Sequence, residues 1–528
     1  IYYNGNYNTN YFTVDYNNYY NTGTNVGYAG AARATLSALQ SATGQDANST
    51  NVNPTFAAIP TDLVVSPSIN LLSPLLEDIT VDINGMPRDA SNNNMGCYAK
   101  IFTYDVSLIS FISPQERELV GTIPVSVRLA NFGANTLTSV NIAWSINGVS
   151  QTPITLTGLF LPQLADTIVV LGSVNLTAGS LINVEAYTYQ PNANADQNTS
   201  NDTIRMSTYG CSSFLSGTYT VGSGKDFANL NAVYAQLSNC GVMGPVTFLL
   251  DSGVYAGVSI TDQFMGTSSS NTITLTSASG NPADVIFSSG TDVITLENTA
   301  HLVLKDVTID ARGGEVGVRF VGYNENIEIN GCQIYANPTA TATYRGISRD
   351  NTPNPLSNIR IINNNIDGGY YGIYLYGDGT GERNIDVTIN NNTISTMYYG
   401  IYGYYTNFIE INNNIITQHY NSTAAFYGMS LYYGLASEIS KNKIHTHYNT
   451  TYGIYGSSFG GASATMRLLI ANNELILKGS ASPSGINIGS GQNYTDFYQN
   501  SILLYGGTGT SNHACLYLLN TATSVRIK

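Results

Sequence analysis

The sequence predicts an all-β protein in which right-handed parallel β-helix solenoids are joined by a β-sandwich, and three observations carry that reading. An apolar residue is followed five positions later by another at Leu304, Ile329, Ile361, Ile389, Ile411, Ile439, Ile470 and Phe497, and these anchors are spaced by 25, 32, 28, 22, 28, 31 and 27 residues. Such a period with loops of variable length marks a solenoid. Asparagine stands three positions after six successive anchors, at Asn364, Asn392, Asn414, Asn442, Asn473 and Asn500. A glycine followed by an apolar residue also recurs once per period, at Gly317, Gly346, Gly372, Gly400, Gly428, Gly453 and Gly485.

If each period is one coil, equivalent residues stack at about the 4.8 Å strand spacing. Side-chain amides at that spacing donate to one neighbour and accept from the other, so a polar row can be buried without unsatisfied groups. Val307 and Cys332 hold the ladder position in the two preceding coils. The repeated glycine is expected at a corner, where a positive φ would favour it.

Composition agrees. Only 10% of the 528 residues are charged, against 39 tyrosines and 51 glycines. A formal net charge of −14 and the lack of any basic run exclude nucleic-acid partners. No apolar stretch is long enough to span a bilayer, and no charged-then-apolar leader is present, so direct membrane insertion is not expected. Ser524 to Lys528 repeats the opening of the coil at Ser357 to Ile361, and the sequence is expected to be a window from a longer protein.

Residues 209–528 are expected to form the main β-helix. Phe227 to Leu237 has apolar residues at helical spacing and is expected to cover the open end of the solenoid. Residues 101–208 change rhythm, with alternation at Val125, Val127 and Leu129 and again at Val140, Ile142, Trp144 and Ile146 before the hairpin signal Asn147-Gly148. About seven short strands around one tryptophan describe an immunoglobulin-like sandwich. Its last loop offers Asp196 and Asp202 as candidate calcium ligands, with a solvated polar hairpin as the alternative. Residues 1–100 read as the C-terminal end of a preceding β-helix, from Phe12 to Tyr20 through a short helix at Thr35 to Ala42 to a closing strand pair between Asp78 and Tyr98.

Cys211 and Cys240 flank the covering helix and are a candidate disulfide; separate buried thiols are the alternative. Cys332 is expected to pack internally. Without a Cys-x-x-Cys pair, zinc and redox chemistry have no support, and no cofactor other than calcium is expected.

Catalysis is not expected. The carboxylates Asp306, Asp310, Asp350, Asp367, Asp378 and Glu382, with Arg345, Arg349 and Arg383 near in sequence, do not recur at one position of neighbouring coils, as an acidic cleft would require. His419, His445 and His447 read as surface residues of variable loops. Arg526-Ile527-Lys528 matches a short motif of polygalacturonases, but that family's paired aspartates and Gly-His-Gly are absent.

Tyrosine carries the stronger functional signal. Tyr371, Tyr399, Tyr427 and Tyr452 precede the repeated glycine; Tyr374, Tyr402 and Tyr455 follow it by two positions, and Tyr376, Tyr404 and Tyr432 by four. Strand alternation sends these last two sets outward, into an aromatic stripe. Stacked phenols can pack on one another, bury against a second chain, or bind sugar rings face on.

The sandwich, with its Asn-x-Gly, tryptophan and Asn/Asp-rich last hairpin, resembles the bacterial cell-adhesion-related immunoglobulin-like family, and the flanks resemble pectate-lyase-like right-handed β-helices. With the closing segments Gln45 to Ser49 and Val81 to Arg88, the whole resembles the giant secreted surface proteins of gliding bacteria. That resemblance implies export by the type IX route, an extracellular cell-surface location, and adhesion or filament building through self-association. Asp166-Thr167-Ile168 and Asp202-Thr203-Ile204 also resemble the short O-glycosylation signal of such bacteria. The rival readings are a polysaccharide-degrading β-helix enzyme and a monomeric module binding cell-surface glycans.

Overall fold

A computed structural model describes residues 2–3, 13–58, 62–65, 69, 71–76, 78–88, 93–261, 263–339, 341–350, 353–379, 382–489, 494–506, 514–518 and 524–528. Two compact units divide the chain, residues 1–212 and 213–528. The expected boundary near residue 100 falls inside the first unit.

Within the first unit, the described residues before 100 form short strand pairs and one helix, Leu36–Thr43. Thr35 caps that helix, its side chain accepting from Ala38 N at 3.2 Å. Part of the expected closing pair lies outside the described residues; within the rest, Val81 bridges Pro87 and Leu72 bridges Asn94, both antiparallel.

Two sheets around one apolar core make up the remainder of this unit. Gly121–Asn131 is the central strand of one, between Val106–Ser113 and Asp166–Leu176. In the other, Leu137–Ile146 and Leu181–Tyr189 run side by side, and Thr203–Cys211 follows. Alternation decides which residues face inward: Val125, Val127, Leu129, Val140, Ile142 and Trp144 are all buried. The indole N–H donates to Thr152 O at 3.1 Å. Asn147 and Gly148 turn the hairpin with φ of 49° and 78°, the left-handed pair a tight two-residue turn requires.

The second unit is a parallel β-solenoid whose coils stack in three sheets, the second and third continuous through the long strand Glu474–Ile488. The first sheet holds twelve strands, from Leu215–Val221 to Arg526–Ile527. Every anchor read from the sequence lies in one column of it: Leu304, Ile329, Ile361, Ile389, Ile411, Ile439, Ile470, Phe497 and Ile527 are successive partners. The residues five positions on form a second column, Ile309 through Ile366 and Ile416 to Ile502, on the second sheet. Val318, Ile347, Ile373, Ile401, Met429, Ile454, Ile486 and Leu516 form a third, on the third sheet. Three stacked aliphatic columns facing one another fill the interior of the solenoid.

The covering helix is Leu230–Cys240, three residues later than the periodicity suggests. Asn229 starts it, the side chain accepting from Ala232 N at 3.0 Å. Leu230, Val233 and Leu237 join the core of the first coils. Phe227 lies before the helix, edge-on to Tyr219 and Phe248 at 5.6 and 5.7 Å.

The repeated glycines have a different cause from the one expected. They lie inside third-sheet strands, and none is among the residues with positive φ. A Cβ on Gly372 would stand 2.5 Å from Ile394 Cγ2 and 2.7 Å from Gly400 O, and Gly346, Gly400 and Gly428 meet the same obstruction. The column is glycine because successive coils approach too closely for a side chain. A left-handed residue recurs instead just before the ladder position, at Gly331, Asn363, Asn391, Asn413, Lys441, Asn472 and Gln499, with φ between 52° and 67°. Asparagine tolerates that conformation better than most residues, which explains the asparagine runs.

Candidate functional site: the asparagine ladder and the tyrosine face

All six ladder asparagines are brought together in the turn between the first and second sheets. Asn364 Nδ2 donates to Asn392 Oδ1 at 3.0 Å, and the relation repeats to Asn414, Asn442, Asn473 and Asn500 at 2.9 to 3.0 Å. Each Nδ2 also donates to the anchor carbonyl of the preceding coil, as Asn392 does to Ile361 O at 2.8 Å. Each Oδ1 also accepts the backbone N–H of the previous ladder residue. Cys332 heads the row, its N–H donating to Asn364 Oδ1 at 2.9 Å, and burial pushes its thiol up to about 12. A second polar row went unread in the sequence: Asn384 Nδ2 donates to Thr406 Oγ1 at 3.0 Å, and Thr406 to Leu375 O at 3.2 Å.

The tyrosines are collected on the outer surface of the third sheet in three aligned columns. Tyr371, Tyr399, Tyr427 and Tyr452 are direct partners in one; Tyr374 and Tyr402 lead the next, and Tyr376, Tyr404 and Tyr432 fill the third. Tyr374 stacks on Tyr402 at 5.2 Å, Tyr376 on Tyr404 at 4.5 Å, and Tyr371 on Tyr399 at 4.9 Å. The middle column breaks at Ser430, which stands between Tyr402 and Tyr455. Tyr432 bridges the gap, 5.6 Å from Tyr402 and 5.3 Å from Tyr455. Ser430 is thereby fully covered, with its hydroxyl unpartnered. Tyr370 on Tyr398 and Tyr405 on Tyr433, at 4.6 and 5.1 Å, extend the field at both margins. Sequence reasoning missed these four because they lie outside the glycine-centred phrase.

Half-burial among neighbouring rings raises the phenol pKa values, to about 12 at Tyr371 and Tyr404 and further at Tyr399, Tyr402 and Tyr432. The face is therefore uncharged at any physiological pH.

At the N-terminal margin of the field the chemistry changes. Arg345 pairs with Tyr371 in the first column, and its guanidinium lies 4.0 Å from the Tyr374 ring centre. It also pairs with Asp350, which pairs with Arg319, which pairs in turn with Asp292. Arg349 points inward at the same strand and is wholly buried; its Nη1 donates to Gly322 O at 2.6 Å, and burial lowers its pKa to about 10.

The other carboxylates named from the sequence are scattered. Asp310 is held by Arg312 at 2.6 Å, which keeps its carboxyl below the usual range. Asp367 lies 3.8 Å from His419. His419 is buried, contrary to the surface reading, because Ser422 and Met397 fold the turn over it: Ser422 N donates to His419 O and Ser422 Oγ to Met397 O. His445 Nε2 donates to Glu474 Oε1 at 2.7 Å. Two acids that were not named do stack in neighbouring coils: Glu410 and Glu438 are direct partners on the first sheet. Both precede an anchor, so alignment on the anchors would have found them. Asn412 donates to Glu410 at 2.9 Å, and Ser440 donates to Glu438.

Asp196 and Asp202 lie near each other and near Asp105 in the sandwich. Val106 N and Asn198 N donate to Asp196 at 3.0 and 2.9 Å, and Thr188 Oγ1 to Asp202 at 3.3 Å. Burial first, then Asp196 and Asp105, raises Asp202 to about 7. Among the described residues no group of three or more His, Cys, Asp or Glu is arranged to hold a metal ion. Cys97, Cys332 and Cys515 are free thiols, and Cys211 and Cys240 are both buried. Among the described residues no helix is long and apolar enough to cross a membrane.

The chain has no significant sequence match among curated proteins. Among solved structures it is similar to the CARDB domain of a Pyrococcus furiosus protein, determined by crystallography in complex with di-metal ions and also by NMR. Identity is 16% and the TM-score 0.18 in both, covering 21% of this chain and 90% and 99% of those domains. It is also similar to a Family 28 exopolygalacturonase from Yersinia enterocolitica, at 10% identity and a TM-score of 0.32, covering 80% of this chain and 98% of the enzyme. Residues 345–525, the coils that carry both the ladder and the tyrosine field, match the family described as right handed beta helix region.

Proposed function

We propose that this chain is a structural and adhesive segment of a large extracellular surface protein, with the tyrosine face as its contact surface. The observation that carries the reading is the aromatic field itself: rings stacked across four coils on an otherwise regular solenoid, uncharged and facing outward. Gathering so many aromatic rings on one outer face serves contact better than it serves solubility. The ladder and the aliphatic columns supply a stiff support, since coils separate only by breaking continuous hydrogen-bonded rows. Type IX export and assembly into multi-chain filaments belong to the same proposal, on the resemblance to surface proteins of gliding bacteria. Antibodies against the solenoid, applied to intact cells of the source bacterium, should label the surface and reduce attachment. Labelling only after permeabilisation would overturn the proposal.

A second reading, polysaccharide cleavage, is favoured by the stacked pair Glu410 and Glu438. Two carboxylates flanking a sugar bond are what glycoside hydrolysis uses. Reducing-end assays on a polysaccharide panel decide it: activity lost in both Glu410→Gln and Glu438→Gln would establish an enzyme, and no release of reducing ends would leave the adhesive reading alone.

A further inference from the structure

The tyrosine rings cover one another's faces along the coils, and Tyr374 lies between the Tyr402 ring and the Arg345 guanidinium. What the field offers outward is ring edges and hydroxyl groups, and what the rings can reach most readily is each other. Tyr376 and Tyr404 are the closest stacked pair of the field, with ring centres 4.5 Å apart and planes 18° from parallel. They are direct partners on neighbouring strands, and their hydroxyl groups are hydrogen-bonded to each other. Opposed oxygens also oppose the ortho carbons, since each ortho carbon is one bond from the carbon that bears the oxygen. Ortho carbons hold a large share of the unpaired spin of a phenoxyl radical, and two such radicals couple through them.

An oxidant can reach this pair through an exposed neighbour. Tyr433 is exposed; its ring lies 5.3 Å from Tyr404 and stacks on Tyr405 at 5.1 Å, and Tyr405 lies 4.8 Å from Tyr404. An electron removed at Tyr433 is replaced from rings in contact with it, which carries the vacancy inward to Tyr404. Tyr370 and Tyr398 stack as closely, at 4.6 Å, but their ring neighbours Tyr371, Tyr399 and Tyr427 are all half-buried. Tyr420 is the opposite case, highly exposed and beside the His419 ring at 4.5 Å. Exposure alone would direct coupling to Tyr420 and to a second chain; stacking directs it within one chain.

We propose that Tyr376 and Tyr404 are a site of oxidative cross-linking, at which hydrogen peroxide acting through a haem peroxidase joins the two rings by a carbon–carbon bond and staples successive coils. Each phenol gives up one electron and its hydroxyl proton, and the two radicals form the bond between ortho carbons. The hydrogens on those carbons then move to the oxygens and restore both phenols. The peroxide takes up both electrons and both protons and leaves as two waters. A bond between residues 376 and 404 closes a loop in the unfolded chain, so the staple hardens the solenoid against unfolding. This goes beyond the adhesive reading and holds whatever the face contacts.

The test treats the dilute full chain with hydrogen peroxide and a haem peroxidase, after alkylation of the exposed Cys97 and Cys515. Trypsin then cuts after Arg360, Arg383 and Lys441, which places the two tyrosines in separate peptides, 361–383 and 384–441. These peptides should be recovered joined, short of two hydrogen atoms and with the fluorescence of a biaryl diphenol, and fragmentation should place the bond at Tyr376 and Tyr404. Tyr376→Phe and Tyr404→Phe keep the rings and their packing, and each should abolish that bond. Tyr420→Phe should leave it unchanged. The stapled chain should melt at a higher temperature than the untreated chain, and circular dichroism shows whether each variant keeps the fold. Coupling chiefly between chains through Tyr420, an equal yield from chain unfolded before oxidation, or a bond placed at another pair would overturn the proposal. Phenol oxidation without any joined peptide would overturn it as well.

Discussion

Asn392 donates twice to one oxygen: its Nδ2 and its backbone N–H both reach Asn414 Oδ1 at 3.0 Å. A single side-chain carbonyl thus satisfies two buried donors of the coil before it, while the Asn414 amide group satisfies Ile389 O and Asn442 Oδ1. Both carbonyl lone pairs and both amide protons are used. A side chain that closes four buried bonds is expensive to remove.

Replacing Asn414 by alanine should therefore destabilise the solenoid by about 3 kcal/mol or more, since each orphaned buried group costs roughly 1–3 kcal/mol. Hydrogen exchange of the full chain is the measurement, with protection lost first between residues 389 and 442. Cys332→Asn should extend the row by one amide aimed at Asn364 and raise protection there, or at least leave it unchanged. Equal loss of protection in both variants would mean that the ladder is not what holds the turn.

Glycine sterics make a sharper prediction. Gly372→Ala places a methyl group 2.5 Å from Ile394 and 2.7 Å from the Gly400 carbonyl, and overpacking of that kind costs about 1–3 kcal/mol. Gly290→Ala meets nothing within 4 Å and should be silent. Thermal melts of the two variants are expected to differ by several degrees.

In the sandwich, Asp202 is raised to about 7 by burial and by the neighbouring Asp196 and Asp105. A carboxyl raised in the folded state holds its proton longer there than in the unfolded chain. Its contribution to stability is full below about 3.9 and is lost as pH rises through 7. The sandwich should melt at progressively lower temperature between pH 4 and 7, and Asp202→Asn should flatten that slope. Calcium added at pH 7.5 then discriminates: a rise in melting temperature abolished by Asp202→Asn makes the pair a cation site, and no rise leaves it a buried acid pair.

The tyrosine field predicts the opposite end of the pH scale. Tyr371 and Tyr404 are raised to about 12 by burial and by neighbouring phenols, so the unfolded chain loses these protons first. Solenoid stability should be constant through neutral pH and fall above about pH 10. Absorbance of tyrosinate followed with circular dichroism is the check. Early ionisation of the whole field without loss of structure would show that the rings do not shield one another.

Alkylation should sort the five cysteines into three classes. Cys97 and Cys515 are exposed and should alkylate in the native protein, and buried Cys332 only after unfolding. Cys211 and Cys240 are expected to appear as one cross-linked peptide until reduced, and reduction should cost about 3 kcal/mol for a loop of this length. Alkylation of both in the unreduced, unfolded chain would refute the cross-link.

How much of this was legible in advance follows from what stacking does to a sequence. A coil repeats its inward residues at fixed offsets from one another, so Ile361 and Ile389, or Asn364 and Asn392, can be aligned across loops of any length. The three sheets, the ladder and three columns of tyrosine were therefore written in the sequence by itself. Glu410 and Glu438 were equally legible once aligned on Ile411 and Ile439. Other features depend on how closely coils approach and where loops return, which no offset records. Only the tertiary structure decided that Gly372 is a contact and not a turn, that Tyr432 closes over Ser430, and that Arg319 joins Asp292 to Asp350. The physical reason is that a repeating backbone fixes positions along each column, whereas separations between columns are set by side-chain volume and loop path.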